Sequence, residues 1–341
     1  MNIEVTDNQY ILNNCEEVFQ KLKGKSIFLT GGTGFIGKCL SESILYANNQ
    51  LNLNVKLTIL TRSPETFRKE FPEVSQQINI WKGDIRNFIF PEESFEYIIH
   101  AATDSSAKMN VENPLEIIDT IYTGTKNVLD FAKNQNVKNI LFISSGAIYG
   151  KQPDDISSIN ETFQGGPDPL LPSSSYAEAK RLAEQLCSSY SRLYNMNIPI
   201  ARCFAFVGPY LNLDANYAIG NFIRNGLNDE TICITGNGEA MRSYMYVADL
   251  AIWLWTILLK GKGCEAYNVG GETPITIKNL AILVSNFFPG IRIEILNQMN
   301  NTDRNFNYIP NVSKAKKDFN FKKGISLHDA ISKTINFYSG I

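Results

Sequence analysis

The 341-residue sequence contains only two histidines, and its six cysteines are scattered without any C-x-x-C spacing. Protein metal sites depend heavily on closely spaced His and Cys ligands, and a Ser-His-Asp hydrolase needs a histidine beside its nucleophile. We therefore expect no metal site and no histidine-dependent hydrolase. The cysteines lie in apolar or helical contexts that suit small buried side chains, so we also expect no disulfides.

Long apolar runs and an excess of one charge are also missing. No segment approaches the roughly twenty apolar residues of a membrane span, and no basic stretch followed by an apolar one opens the sequence. The net charge is only −2, which gives no basic surface for nucleic acid. We expect a cytoplasmic protein whose partners include neither nucleic acid nor a membrane.

The most informative pattern that is present is a glycine-rich turn. Gly31, Gly34 and Gly37 follow the apolar run at 26–29 and open a helical segment. This spacing lets the backbone turn tightly and approach a diphosphate, while N–H groups at the start of the helix face its negative charge. A glycine cluster alone can be a simple turn, so a dinucleotide site needs a second signal.

Tyr176 and Lys180 supply that signal. Their i, i+4 spacing places them on one face of a helix, and a nearby Lys can lower the pKa of a Tyr by favouring the phenolate. Ser145 follows the apolar run at 141–143, so it should lie at the carboxyl end of a strand, where open parallel sheets hold their sites. These three side chains could exchange a proton with an alcohol or carbonyl. The alternative is a surface helix with a chance Tyr-x-x-x-Lys.

These motifs resemble those of the extended short-chain dehydrogenase/reductases, which include nucleotide-sugar epimerases, dehydratases and 4-keto reductases. The resemblance covers nearly the whole chain, including 202–209 and 242–249. It implies an α/β fold: a doubly wound parallel sheet of the Rossmann type with a smaller C-terminal substrate-binding lid. It implies that NAD(P) binds at Gly31, Gly34, Phe35, Ile36, Gly37, Arg62, Asp84, Ile85, Ala101, Ala102, Thr103, Tyr176 and Lys180.

The resemblance further implies a nucleoside-diphosphate sugar as substrate. The planar guanidinium groups of Arg242 and Arg304 suit a diphosphate, although either could be a surface charge. The polar loop after the fourth strand could be only a helix cap. The implied substrate-binding residues are Asp104, Ser105, Ser106, Asn221, Arg242 and Arg304.

The residues after the second strand bear on the choice of cofactor. An NAD enzyme usually has Asp or Glu there for the ribose 2′-hydroxyl, whereas Arg can meet the 2′-phosphate of NADP. Here no carboxylate occurs before Glu65, and Arg62 is available. We favour NADP(H); NAD(H) stays possible because Arg62 could stack on its adenine. Asp84 could bind the adenine amino group or serve as a turn residue after Gly83.

The reaction type depends on the residues beside Ser145. In the family's 4,6-dehydratases the next two positions carry Asp and Glu, whereas here they are Gly146 and Ala147. Water loss would lack its acid and base. We expect a reductase of a nucleotide-linked 4-keto-6-deoxy sugar. The alternatives are a redox-neutral epimerase with retained NAD and, less favoured, a dehydratase or a dinucleotide-binding protein without turnover.

Alternating segments through residue 203 predict the parallel sheet, and His100, at the end of one strand, is expected to be structural. We divide the chain into an N-terminal extension (1–24), a dinucleotide-binding domain (25–203) and a sugar-binding portion interleaved with it (204–341). Strands are expected near 25–30, 55–60, 78–81, 97–100, 139–144 and 198–203. Helices are expected at 35–48, 112–134 and 174–194.

The last two predicted helices carry more apolar positions than one core-facing stripe needs. Members of the family often pair through these helices, so we expect a homodimer. The alternative is that the same side chains only cover the sheet. The apolar positions are Ile117, Ile121, Val128, Leu129, Leu182, Leu186 and Tyr190.

Overall fold

The structure is a computed structural model that describes residues 5–103, 110, 112–215, 217–296 and 306–340. The strands in these ranges are β1 (Ser26–Thr30), β2 (Lys56–Thr61), β3 (Asn79–Lys82), β4 (Tyr97–His100), β5 (Asn139–Ser145), β6 (Ile200–Cys203), β7 (Ala205–Val207), β8 (Ile232–Ile234), β9 (Met241–Arg242), β10 (Tyr244–Tyr246), β11 (Ala266–Val269), β12 (Ile275–Thr276) and β13 (Ile293–Ile295). The α-helices are α1 (Val5–Gln20), α2 (Phe35–Leu51), α3 (Pro64–Glu70), α4 (Pro72–Ser75), α5 (Pro114–Asn134), α6 (Ser175–Tyr194), α7 (Ala218–Leu227), α8 (Val247–Lys260), α9 (Ile277–Ser285), α10 (Ser313–Phe319) and α11 (Leu327–Ser339).

Seven strands form the central sheet in the order β11-β6-β5-β4-β1-β2-β3, and every neighbouring pair is parallel. This is the strand order of a doubly wound sheet. From β1 the chain adds strands first in one direction along the sheet and then, from β4, in the other, and a ligand crevice opens at that point. The predicted fold class is confirmed. Helix α2 continues three residues beyond its predicted end because the left-handed Asn52 caps it, donating its N–H to Asn48 O.

Helices cover both faces of the sheet. On one face, which α5 and α6 cover, α5 buries Ile117, Ile121, Val128 and Leu129, each at most 3% exposed. These four side chains therefore cover the sheet, which is the alternative to a dimer interface that the sequence analysis left open. The same helices also leave leucines exposed to solvent, namely Leu115, Leu182 and Leu193.

On the other face, the N-terminal helix α1 packs within the main core. Its apolar stripe is buried. The carboxylate of Asp7 accepts a hydrogen bond from Tyr246 Oη at 2.5 Å and pairs with Lys333 at 3.0 Å. Tyr10 Oη donates to Asp249 at 2.8 Å. Helix α1 is thereby fixed to α8 and to the C-terminal helix α11.

The second half of the chain forms small sheets at the carboxyl edge of the main sheet and then returns to it. Strand β11 pairs with β6, so the second half of the chain adds a strand to the main sheet. The segment around Tyr308 bridges to Arg242 on β9. No helix in the described ranges is both long and apolar enough to cross a membrane.

A buried ion pair connects the elements that carry the predicted site. Arg202 on β6 lies 2.7 Å from Glu184 on α6, and the two side chains are only 15% and 10% exposed. Ser144 on β5 donates to Glu184 at 2.5 Å, and Arg202 donates to Tyr149 Oη at 2.8 Å. These contacts hold β5, β6 and α6 in one arrangement.

We expect Arg202→Met to lower the free energy of unfolding by about 3 to 5 kcal/mol, because it leaves the Glu184 carboxylate buried without its partner. Urea denaturation measures the change. Arg68→Met is the matched control, since Arg68 pairs at 2.6 Å with Glu65 on the surface and exposed pairs contribute little. Equal midpoints for the two variants would contradict a structural role for the buried pair.

Candidate active site

The three spaced glycines of the turn between β1 and α2, Gly31, Gly34 and Gly37, differ in why they are glycine. Gly31 has φ +72°, and a Cβ there would lie 2.6 Å from the Ala101 carbonyl. A Cβ on Gly37 would collide with the Gly31 carbonyl oxygen. At Gly34, by contrast, the nearest atom would be 3.4 Å away. Gly31 and Gly37 are therefore needed for the turn itself, whereas Gly34 keeps open the space above it.

The start of α2 faces that open space. Gly34 is the N-cap residue and supplies no side-chain hydrogen bond to the helix, so the first-turn N–H groups beginning at Phe35 and Ile36 are not capped by a side chain. Unpaired N–H groups and the helix dipole make such a terminus a site for phosphate. This turn therefore fits the diphosphate of a dinucleotide.

Asp84, expected near the adenine, forms an ion pair with a neighbouring arginine. Both of its carboxylate oxygens accept from Arg86 at 2.9 Å, and Arg86 also reaches Asp119 at 3.1 Å. The hydrogen bonds from Arg86, and to a smaller extent the charge of Arg62, lower the pKa of Asp84. The carboxylate is thus ionised at neutral pH. Its Oδ1 also accepts the Arg86 backbone N–H at 3.0 Å, so the second lone pair of Oδ2 is the one left for an amino group. Arg62 itself is exposed at the end of β2.

Ile85, the next predicted cofactor residue, is mainly a core residue. Its side chain is buried, and a Cβ on Gly124 would lie only 2.9 Å from it. Its carbonyl oxygen accepts from Asn127 Nδ2 at 3.0 Å. Ile85 therefore fixes the loop after β3 against α5.

The loop after β4 is held by a threonine and a histidine. Ala101 N and Ala102 N donate to the Thr30 carbonyl and hydroxyl oxygens, each at 3.2 Å, and Thr103 Oγ1 donates to Ala102 O at 2.6 Å. His100 bridges Thr30 and Thr125, and burial lowers its pKa to about 3, so it is neutral and structural. The predicted residues Asp104, Ser105, Ser106 and Arg304 lie outside the described residues.

Ser145 and Tyr176 meet at the carboxyl end of β5. Ser145 is 9% exposed, and its hydroxyl accepts the Ala147 N–H at 3.1 Å. Tyr176 lies in the first turn of α6, where its N–H donates to Asn110 Oδ1 at 3.0 Å. Burial raises the pKa of the Tyr176 phenol, and a hydrogen bond from Ser145 partly offsets this effect.

Lys180 lies on the same helix but is held by the strand. Its Nζ donates to the Ile143 carbonyl at 2.8 Å and lies 6.0 Å from the Tyr176 ring centroid. Burial lowers the pKa of Lys180 to about 8. Burial dominates the pKa of the Tyr176 phenol, and the hydrogen bond from Ser145 opposes it. The lowering of that pKa by Lys180 stays a prediction.

The described substrate residues both bind backbone carbonyls of the protein. Arg242 Nη1 donates to Met241 O at 2.9 Å and Phe306 O at 2.5 Å, and burial lowers the pKa of its guanidinium. With its side-chain amide nitrogen turned towards the preceding loop, Asn221 donates to Ala215 O at 2.8 Å and to Leu213 O at 3.0 Å. Asn221 therefore fixes the loop before α7.

Tyr308 is a residue of this centre that the sequence did not indicate. Its ring packs on Phe204 with a centroid distance of 4.5 Å, and its hydroxyl would lie 2.7 Å from a Cβ on Gly146. No local motif surrounds Tyr308, because it reaches the site on a segment that returns from the C-terminal part of the chain.

Comparisons with known proteins agree with this geometry. Residues 27–270 match the family model described as "NAD dependent epimerase/dehydratase family". The chain is 29% identical over 306 residues to UDP-glucuronic acid decarboxylase 6 of Arabidopsis thaliana, covering 89% of this chain and 86% of that protein. It is 25% identical over 322 residues to UDP-glucuronic acid decarboxylase 1 of Xenopus tropicalis, covering 92% and 72%.

Solved structures share the fold. UDP-glucose 4-epimerase of Thermotoga maritima, determined with UDP-glucose, superposes with a TM-score of 0.79 at 22% identity over 92% of this chain and 99% of that one. The dTDP-glucose 4,6-dehydratase of Streptomyces venezuelae, determined with NAD, also gives a TM-score of 0.79, at 21% identity over 92% and 97%.

Alanine substitutions in the glycine turn should separate stability from cofactor binding. Gly34→Ala should leave the thermal midpoint unchanged, because its Cβ finds space, but should weaken dinucleotide binding at least about tenfold by occupying that space. Gly31→Ala should lower the midpoint, because both its φ and the Ala101 backbone oppose a Cβ. Calorimetry with NAD(P) and thermal unfolding test both. Tight binding by Gly34→Ala would contradict the diphosphate site.

Lys180→Met should stabilise the protein at pH 7 by about 2 kcal/mol, because it removes a buried ammonium whose pKa is lowered by burial. The unfolded wild type binds this proton up to about pH 10.4, whereas the folded one releases it near pH 8. Wild-type stability thus rises across that window, and the advantage of the variant should shrink. Urea denaturation at several pH values measures this.

A pH-independent difference, or a variant less stable than wild type at pH 7, would contradict the lowered pKa. Lys56→Met is the control, since Lys56 is exposed at the start of β2.

Proposed function

Because the chain belongs to the NAD-dependent epimerase/dehydratase family, we propose that it binds a nicotinamide dinucleotide and a nucleoside-diphosphate sugar and reduces the 4-keto group of a 4-keto-6-deoxy sugar. A bound NADPH would supply the hydride from its nicotinamide ring. The remaining chemistry is carried by side chains at the carboxyl ends of the strands, the edge at which open parallel sheets bind their ligands.

Tyr176 is the proposed acid. In the reduction it donates its phenolic proton to the substrate oxygen, and its high pKa keeps that proton in place until the oxygen becomes basic. Ser145 donates a hydrogen bond at the same centre. The Lys180 ammonium, retained at neutral pH, supplies a positive charge beside the phenolate that remains. In the reverse reaction, the Tyr176 phenolate would remove the proton from the substrate hydroxyl.

The surroundings of Gly146 oppose the dehydratase alternative. A Cβ at this position would lie 2.7 Å from the Phe204 ring and 2.7 Å from the Tyr308 hydroxyl. No carboxylate fits where the resembling 4,6-dehydratases carry an acid, and Ala147 has no proton to transfer. The site therefore supports exchange at one carbon without the acid and base for water loss.

The observation that carries the reductase proposal is the end of β2. Arg62 is the exposed charged residue that immediately follows the strand, and the sequence has no carboxylate before Glu65 there to bind a ribose 2′-hydroxyl. A guanidinium there suits the 2′-phosphate of NADP. NADPH is the form that an enzyme consuming reductant turns over, so we propose NADP(H) as the cofactor.

The similarity to proteins named as UDP-glucuronic acid decarboxylases and the NAD in the dehydratase structure favour a second candidate. This is a redox-neutral reaction, an epimerisation at C4 with retained NAD. It would use Tyr176 first as base and then as acid at the same carbon, with both hydride transfers balanced inside the site.

We also propose that the protein is a cytoplasmic homodimer that pairs through α5 and α6. The exposed leucines Leu115, Leu182 and Leu193 support this proposal because they place apolar surface on those helices. The division at residues 24 and 203 stays a proposal for the domain organisation.

The reductase proposal predicts stoichiometric loss of the nicotinamide absorbance near 340 nm when the protein is mixed with NADPH and a nucleotide-linked 4-keto-6-deoxy sugar. NADH should react at least about tenfold less well, and Arg62→Ala should remove most of that difference, because the 2′-phosphate loses its cation. Tyr176→Phe should bind NADPH normally and abolish turnover.

Altered sugar without net loss of absorbance would assign the redox-neutral reaction instead. The sugars tested should include a UDP-uronic acid and both C4 epimers of a UDP-hexose. No change in any sugar, with the dinucleotide bound, would contradict enzymatic function on nucleotide sugars.

A further inference from the structure

Two cationic residues leave the main sheet side by side, at the carboxyl ends of β2 and β3. Lys82 is the last residue of β3, and its register partner is Thr61, the last residue of β2. Arg62 comes next, and the Gly83 N–H donates to the Thr61 carbonyl at 3.0 Å, which extends the pairing beyond the two strands. Neighbouring strands lie about 4.8 Å apart, so the side chains of Lys82 and Arg62 begin from adjacent backbone.

These two cations have no counter-charge of their own. Both side chains are exposed, and among the described residues neither forms a hydrogen bond or an ion pair. The carboxylates nearest to them in the sequence are already paired, Glu65 with Arg68 at 2.6 Å and Asp84 with Arg86 at 2.9 Å. Two like charges this close repel each other. An anion placed between them would relieve the repulsion.

A bound dinucleotide would pass this place. The glycine turn that fits its diphosphate follows β1, and β2 and β3 are the next two strands of the sheet on that side. An adenosine that runs from the turn towards Asp84 therefore crosses the end of β2, where the ribose 2′ position is read. Asp84 is only two residues beyond Lys82, so Lys82 flanks that path on the β3 side.

The charge of a 2′-phosphate calls for more than one cation. A phosphate monoester carries about −1.5 to −2 charges at pH 7, and one guanidinium balances only part of this. A guanidinium binds phosphate through its planar fork, whereas an ammonium acts as a point charge on a flexible stem. The two exposed side chains at the ends of β2 and β3 offer one group of each kind.

We propose that Lys82 is a specificity-determining residue that binds the 2′-phosphate of NADP(H) together with Arg62. The inference rests on the proposed function, in which NADP(H) is the cofactor. The sequence alone indicated Arg62, because it follows a strand directly. Lys82 lies twenty residues later, and only the register of β2 with β3 brings it to the same place.

The test compares the binding of NADP⁺ and NAD⁺ by calorimetry in the wild type and in Lys82→Gln. The variant should bind NADP⁺ roughly fivefold more weakly, because the phosphate loses one cation, and should bind NAD⁺ within about 1.5-fold of the wild type. Lys56→Gln is the matched control, since it removes the same charge from an exposed lysine at the opposite end of β2. It should change neither affinity.

Two further measurements isolate the phosphate. Adenosine 2′,5′-bisphosphate, which has no nicotinamide, should lose affinity for Lys82→Gln by the same factor as NADP⁺, whereas 5′-AMP should lose none. Raising the salt concentration from about 0.05 M to about 0.5 M should reduce the difference between the wild type and Lys82→Gln to less than about twofold, because an exposed point charge is screened.

Three outcomes overturn the role of Lys82: no loss of NADP⁺ affinity, an equal loss for NAD⁺, or an equal loss in Lys56→Gln. If Arg62→Ala removes the preference for NADP⁺ while Lys82→Gln keeps it, Lys82 is excluded and the proposed cofactor stands. A wild type that binds both dinucleotides equally overturns both. Because binding needs no turnover, a Lys82-dependent preference in a protein that reduces no sugar supports Lys82 and overturns only the reductase reaction.

Discussion

The buried pair of Glu184 and Arg202 is the interaction on which the rest of the site depends. Glu184 lies one helical turn beyond Lys180 and two turns beyond Tyr176, so fixing it also fixes the face of α6 that carries both. Ser144 donates to the same carboxylate. Ser145 is the next residue and the last of β5, so holding Ser144 against α6 also fixes the strand end that carries Ser145. One charged contact thus sets the relative placement of three polar groups.

The fold could be predicted because its signals are local in the chain. The apolar runs before Gly31 and Ser145 mark buried parallel strands, and the glycine spacing has one low-energy use between a strand and a helix. The start of α6 was similarly readable from Tyr176 and Lys180, because a helix fixes the distance between residues four apart. What these patterns have in common is that the atoms involved are joined by short stretches of backbone.

The parts of the site that could not be predicted depend on contacts between distant segments. Tyr308 comes to lie beside Gly146 only after the chain has passed through the small sheets, and no spacing in the sequence predicts that path. The electrostatics of Tyr176 depend on how completely it is buried and on where the Lys180 ammonium is held, by the Ile143 carbonyl. Burial arises only in the folded molecule, so a sequence motif identifies the side chains of the site but not their pKa values.

The contacts of α1 have a consequence for how the molecule is made. The partners of Asp7 are Tyr246 and Lys333, which follow it in the sequence by more than two hundred residues. During synthesis, the Asp7 carboxylate gains both partners only after the segments that carry α8 and α11 have been made. Contacts of such long sequence separation slow folding, so the core around α1 closes only after α8 and α11 have been synthesised.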